Sequence, residues 1–130
     1  MTDIPSFESF YATEAKLAWL NHPNIINVFS WKMLPRQAAY MLLMEMCEYG
    51  DLGKLLSVNN PQMSVDNARC IVRQIAGAVG SLHRVGVAHR DLKLENILVT
   101  GYISNNHPHY NIKVADFGLS SVNVSLCDTR

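Results

Sequence analysis

The sequence carries no charge bias, no long apolar run and no cysteine framework, and each absence removes a class of protein. Eleven Lys and Arg balance eleven Asp and Glu, so the formal net charge is zero with five neutral histidines. That balance gives no electrostatic case for nucleic acid or an anionic membrane as partner. The longest apolar run, "AAYMLLM", stops at Glu45 and is far too short to span a bilayer. The opening "MTDIPSFESF" has neither the basic start nor the apolar core of a signal peptide. Cys47, Cys70 and Cys127 form no CxxC pair. An odd count without a secretory signal reads as free thiols in a reducing compartment, so the cytoplasm or nucleus is expected, not secretion. The Asn-x-Ser sequon at Asn123 then reads as chance. There is no internal repeat. No glycine precedes Gly50, and no lysine precedes Lys16.

What remains is the composition of a globular protein, 48% hydrophobic and 17% charged, at a length of 130 residues that fits one ordinary domain at most. Phe7, Phe10, Leu17 and Leu20 recur at helical spacing, which predicts a helix over 6–20, stopped by Asn21-His22-Pro23-Asn24. "IINVFSWKML" predicts a strand, residues 35–37 a turn, and "AAYMLLMEM" a second strand, nearly all apolar and so expected to be buried. "CEYGDLGKLL" reads as a glycine-bearing connector into a short helix. Ser64 is a candidate N-cap for a long helix to about Arg84, with an apolar stripe of Ala68, Ile71, Val72, Ile75, Val79 and Leu82. Then come "HRDLKLEN", a short strand "ILVT", a polar loop "GYISNNHPHY", a strand "IKVA" and "DFGLS".

The chemistry concentrates in "HRDLKLEN". Phosphoryl transfer needs a group that accepts the nucleophile's proton, and oxygen ligands for the Mg²⁺ that neutralises phosphate charge. Asp91 and Asn96 stand five residues apart in one loop, Lys93 between them can meet a phosphate, and Asp116 supplies a second carboxylate beyond the next hairpin. Asp91 alone has the plainer reading of a turn aspartate, and Asn96 alone that of a capping residue. His107 and His109 flank Pro108 in what reads as an exposed loop, with too few ligands in reach for a metal.

The order of these pieces, H-R-D-L-x-x-x-N and then D-F-G, resembles the protein kinase family. "NHPNIINVFSW" is similar to the segment after helix αC, "YMLLMEMCEYGDL" to the fifth strand and hinge, and 64–84 to helix αE of that family. The resemblance implies an α+β, protein-kinase-like bilobal fold, partial, from αC to the start of the activation segment. It divides the chain into an N-lobe part over 1–46, a hinge and αD start over 47–54, and a C-lobe part over 55–130. Its implied cofactors are ATP and Mg²⁺, and its implied partners are protein substrates. By the same resemblance Asp91 is the catalytic base, Asn96 and Asp116 are Mg²⁺ ligands, and Lys93 neutralises the γ-phosphate. A lysine there favours serine/threonine over tyrosine specificity, most like the calcium/calmodulin-dependent and AMP-activated-like group. Met44 matches the gatekeeper, the backbone of Glu45 and Cys47 the adenine-binding hinge, and Asp51 a ribose contact. Leu98 and Ala115 match the adenine-pocket lining. His89 and Phe117 match buried packing residues. Arg90 matches the arginine that pairs with an activation-loop phosphate, with Ser120, Ser121, Ser125 and Thr129 as candidate phosphosites.

The chain also departs from the family pattern. No G-x-G-x-x-G and no V-A-I-K lysine precede the first predicted helix, and no A-P-E follows DFG. Glu14 lies on the predicted helix's apolar stripe as a candidate αC glutamate, yet the family spacing points to Thr13; Glu14 is otherwise a solvated helix charge. The hairpin before DFG is long, which predicts an enlarged loop. Two functions remain open: a serine/threonine protein kinase piece, or a kinase-like remnant that binds or regulates without turnover. A piece of this kind is expected to leave apolar faces uncovered and to fold poorly by itself.

Overall fold

The computed structural model describes residues 20–37, 39–59, 63–104, 106, 108–115 and 121–122. The predicted helix over 6–20, Glu14, the D-F-G residues 116–118, Cys127 and most of the candidate phosphosites lie outside the described residues.

Strands β1 (Val28–Leu34) and β2 (Ala39–Met44) pair antiparallel across a tight 3₁₀ turn at Pro35–Gln37. A register shift between Val28 and Ser30 leaves Phe29 in a bulge. The strand expected from Ile25 begins only at Val28. Asn24 to Ile26 instead lies parallel to the strand that precedes D-F-G, with Ile26 N donating to Val114 O at 3.0 Å and Val114 N to Asn24 O at 2.8 Å.

The expectation that β2 is buried is overturned. Met41, Leu42, Leu43 and Met44 are all exposed, as is Phe29 on β1. Successive side chains on a strand face opposite ways, so an apolar run needs a layer on both faces. Among the described residues the sheet has two strands, and no described element covers either face enough to bury them.

After the connector, α1 (Leu52–Lys54) is a single turn that continues into one π-helical turn over Leu55–Asn59. The long helix α2 (Val65–Arg84) starts where the sequence signals it. Ser64 Oγ accepts from Asn67 N at 3.1 Å, which satisfies one of the unpaired donors of the first turn. It ends where Gly86 takes φ +77°, a conformation that costs glycine nothing, while Gly86 N donates to His83 O. Ile71, Ala78 and Leu82 are its buried residues. Val72, placed in the expected stripe, is exposed, and Ala78 is buried in its stead. At 100° per residue, Ile71, Ala78 and Leu82 fall within about 40° of one another, so the fully buried stripe is narrower than the apolar composition suggested.

Beyond α2, β3 (Val87–Ala88) pairs antiparallel with β6 (Ser121–Val122). A 3₁₀ turn at Leu94–Asn96 leads into β4 (Ile97–Ile103), which pairs antiparallel with β5 (His109–Val114). The expected enlarged loop is therefore mostly strand, because Gly101 to Ile103 and His109 to Asn111 extend the ladder. Thr100 occupies a bulge in it, and its hydroxyl donates to Asn111 O at 3.3 Å. Tyr102 and Tyr110 pair across the far end with ring centroids 4.8 Å apart.

The core lies where α2 packs on β4 and β5. Ile71, Ala78 and Leu82 meet Ile97, Val99, Ile112 and Val114 there, with Ile25, Leu52 and Val87 closing the cluster. One polar side chain crosses this interface. Gln74 on α2 donates from Nε2 to Tyr110 O at 2.8 Å, while its Oε1 accepts from Ile112 N at 3.0 Å and from Asn24 Nδ2 at 2.9 Å. Asn24 Nδ2 also donates to Ile112 O. The two amides stand in for a neighbouring strand along this edge of β5, so its backbone polar groups stay paired beside the core.

Candidate active site

The loop from His89 to Asn96 is fixed by bonds from its own side chains to backbone. His89 is buried. Its Nδ1 accepts from Asp91 N at 3.1 Å and its Nε2 lies 2.7 Å from Ala115 O, so the proton sits on Nε2, which donates to that carbonyl. Ala115 N in turn donates to Asn96 O at 2.9 Å. The loop and the end of β5 are thus joined at Ala115, the residue before Asp116.

Asn96 is also buried, and its amide orientation follows from its partners. Nδ2 donates to Asp91 O at 2.8 Å and to Asp91 Oδ2 at 3.1 Å. Oδ1 therefore faces away from Asp91 and presents an acceptor. Lys93 Nζ lies 3.6 Å from Asp91 Oδ1, with the lysine about half exposed and the aspartate a quarter exposed. The Asp91 carboxylate is held between a neutral donor on one oxygen and an ammonium on the other, so both oxygens act as acceptors. Arg90, between His89 and Asp91, has φ +71°. That region disfavours a side chain, so the surrounding bonds hold Arg90 in a strained conformation at the mouth of the loop.

The connector from β2 comes to lie against β4. Gly50, at φ +74°, turns the chain so that its carbonyl accepts from Val99 N at 2.8 Å, and Asp51 bridges to Leu98. Asp51 is thereby set beside Leu98, Glu45 meets Lys113, the partner of Leu98 on β5, and Ala115 is buried just past the end of β5. Asp51 Oδ1 accepts from Lys54 N at 2.8 Å, so that oxygen caps α1.

Glu45 has the tightest polar surroundings in the connector. Its Oε1 accepts from Lys113 Nζ at 2.6 Å and from Asn27 N at 2.8 Å, while Glu45 N donates to Asn27 O at 3.0 Å. Burial pushes the Glu45 carboxyl up, but the Lys113 and Asn27 bonds and the lysine charge outweigh it and hold the group below its ordinary value. Burial, and after it the Glu45 charge, pushes the Cys47 thiol up, which makes it a poor nucleophile.

Sequence reasoning missed Lys113, Gln74 and Asn24. Lys113 did carry a signal, as the one charge within the apolar run "IKVA". Among the described residues no group of three His, Cys, Asp or Glu side chains is gathered to hold a metal. Of the two expected cation ligands, Asn96 carries an oxygen donor of the kind Mg²⁺ takes, and Asp116 lies outside the described residues.

A protein kinase domain model matches residues 7–126. The chain is 34% identical over 120 residues to a probable serine/threonine-protein kinase, fhkA, of Dictyostelium discoideum, covering 92% of this chain and 20% of that one. It is 41% identical over 106 residues to serine/threonine-protein kinase 33 of Mus musculus, covering 80% and 21%. It is 39% identical over 103 residues to NUAK family SNF1-like kinase 2 of Rattus norvegicus, covering 79% and 15%. The chain belongs to the protein kinase family, with relatives of the serine/threonine type, and its fold is a partial α+β kinase fold. It spans about a fifth or less of the length of these relatives.

Proposed function

We propose that these residues form the catalytic and hinge part of a serine/threonine protein kinase, which transfers the γ-phosphate of ATP to a protein hydroxyl. One observation carries the reading. Asp91 presents its carboxylate beside the Lys93 ammonium, and Asn96 holds it from behind while turning an oxygen outward.

In this reading Asp91 accepts the proton of the substrate hydroxyl and aims its oxygen, a contribution of about 10²–10⁴ in rate. Lys93, half exposed, meets the transferring phosphate. Mg²⁺, when bound, neutralises the phosphate charge, and Asn96 and Asp116 are the residues that would hold it. The backbone of Glu45 and Cys47 binds adenine, Met44 limits the depth of the slot, and Leu98 and Ala115 form its floor. The second oxygen of Asp51 meets the ribose. Arg90 pairs with a phosphate on the segment after D-F-G. A groove of about 690 Å³ lined by Asp51, Gly53, Lys54, Ser57, Lys93, Leu94 and Glu95 gives a peptide room beside Lys93. The division into N-lobe part (1–46), hinge (47–54) and C-lobe part (55–130) belongs to the same proposal. Among the described residues no helix is long and apolar enough to cross a membrane.

The test is phosphorylation of a serine-containing peptide library by the full-length protein and by Asp91→Asn. Loss of at least about a hundredfold in kcat, with the thermal midpoint unchanged, supports the reading. Equal turnover, or a parent that binds nucleotide and never phosphorylates, sinks it in favour of a kinase-like binding module.

A further inference from the structure

Lys113 and Leu98 are direct partners across the β4–β5 ladder, so their side chains share one face. Leu98 is bridged to Asp51 on its other side, and Gly50 O is bonded to Val99 N. A row therefore runs from the connector through Leu98 to Lys113. From the end of that row the lysine reaches back over the face, and its ammonium meets Glu45 at 2.6 Å. The pair is shielded, with side-chain exposures of 16% for Lys113 and 22% for Glu45. The same Glu45 Oε1 also accepts from Asn27 N, and Glu45 N donates to Asn27 O, in the segment that enters β1. The result is a closed frame: Asn27, Glu45, the connector to Gly50, Leu98 and Lys113.

We propose that Lys113 is a positioning residue for nucleotide, and that its ion pair with Glu45 sets the gap between the hinge backbone and the Leu98 floor. The inference rests on the kinase reading of the hinge. Lys113 touches neither substrate nor reacting atoms; it acts through Glu45. The connector from Glu45 to Gly50 contains no regular element, so its backbone has no ladder of its own to hold it. With the ion pair removed, the hinge keeps, among the described residues, its ties at Asn27 and at Gly50, and the carbonyl and N–H groups between them lose their fixed spacing from Leu98. A ligand read by those groups then binds less well, while Asp91, Lys93 and Asn96 keep their own bonds.

The experiment uses the full-length protein with Lys113→Met, Lys113→Arg, Glu45→Gln and the Lys113→Met/Glu45→Gln double variant. Lys113→Met is expected to raise the KM for ATP and the Kd for a fluorescent ADP analogue about tenfold while kcat stays within about twofold. Glu45→Gln does the same, the double variant is no worse than either single one, and Lys113→Arg stays near the parent. Hydrogen exchange of a peptide covering residues 41–50 is expected to quicken about tenfold in Lys113→Met without nucleotide. An unchanged KM, an equal fall in kcat, or an arginine variant that behaves like methionine overturns the inference. If Lys113→Met fails to fold, the nearly isosteric Glu45→Gln, which keeps the Asn27 bonds, decides it by the same readouts. A parent without nucleotide affinity sinks the kinase reading and the positioning role with it, whereas a parent that binds, and a Lys113→Met that binds as well, sinks only the inference.

Discussion

The β1–β2 ribbon is richer in apolar residues than the α2–β4–β5 unit, yet it is the second that buries them. Leu82, Ile112 and Val114 are fully buried, whereas Leu43 and Met41 stay more than half exposed. The difference is one of layers rather than of hydrophobicity. The β4–β5 ladder has a helix across one face and two amide side chains along one edge; among the described residues the ribbon has its own two strands and no covering layer. A two-stranded hairpin cannot bury an all-apolar strand, because half its side chains face each way. The polar site residues follow the same division. Those on the packed unit are fixed by several bonds each, while the connector leaving the ribbon depends on Asn27, Gly50 and one lysine.

The most forceful way to break the comparison is to truncate one leucine on each side. Leu82→Ala removes a fully buried side chain from the α2 interface and is expected to cost about 2–5 kcal/mol, read as a lower urea midpoint at constant m-value. Leu43→Ala, on the exposed ribbon, is expected to stay within about 0.5 kcal/mol. Equal losses would show that the ribbon is covered after all.

A smaller effect is expected at Gln74, which holds together three segments by polar contacts alone. Gln74→Leu leaves Ile112 N and Tyr110 O without their side-chain partner and frees Asn24 from α2. Each stranded buried group costs about 1–3 kcal/mol, so stability should fall by that order. Amide exchange at Ile112 should rise more than at Val99, whose partner Gly50 O is untouched. If both amides respond equally, the glutamine is packing filler and not the substitute for a missing strand.

Legibility in the sequence divided along the same line. The α2 boundaries could be read because Ser64 and Gly86 act locally, through a cap bond and a positive φ. The motif spacing of Asp91, Lys93 and Asn96 could be read because all three belong to one loop. The exposure of β2 was illegible, since a run of apolar residues does not say how many layers will cover it. The extended hairpin was misread as loop because "GYISNNHPHY" is polar, yet Tyr102 and Tyr110 pair across it and carry the ladder outward. Gln74 and Lys113 were missed for a shared reason. Their partners lie 36 and 68 residues away in sequence, so nothing in either element, the lone charge in "IKVA" included, names the partner.

The smallest expected effect is the pH response of the link between the two regions. The Glu45 carboxyl is held below its ordinary value of 4.5 in the folded chain. A group depressed by folding contributes stability above its unfolded pKa and loses it as pH falls through the folded one. The contribution is that of a partly exposed pair, up to about 1 kcal/mol. Glu45→Gln cannot titrate, so the stability gap between parent and variant isolates this one group from the other carboxylates. That gap should be constant from pH 7 down to about 5 and should close as pH drops below 4.5 towards the folded pKa. The closure should vanish in a Lys113→Met background, because burial then acts on Glu45 with less to oppose it. A gap that widens on acidification would mean that the Glu45 carboxyl is raised on folding, and that burial, not Lys113, governs the hinge.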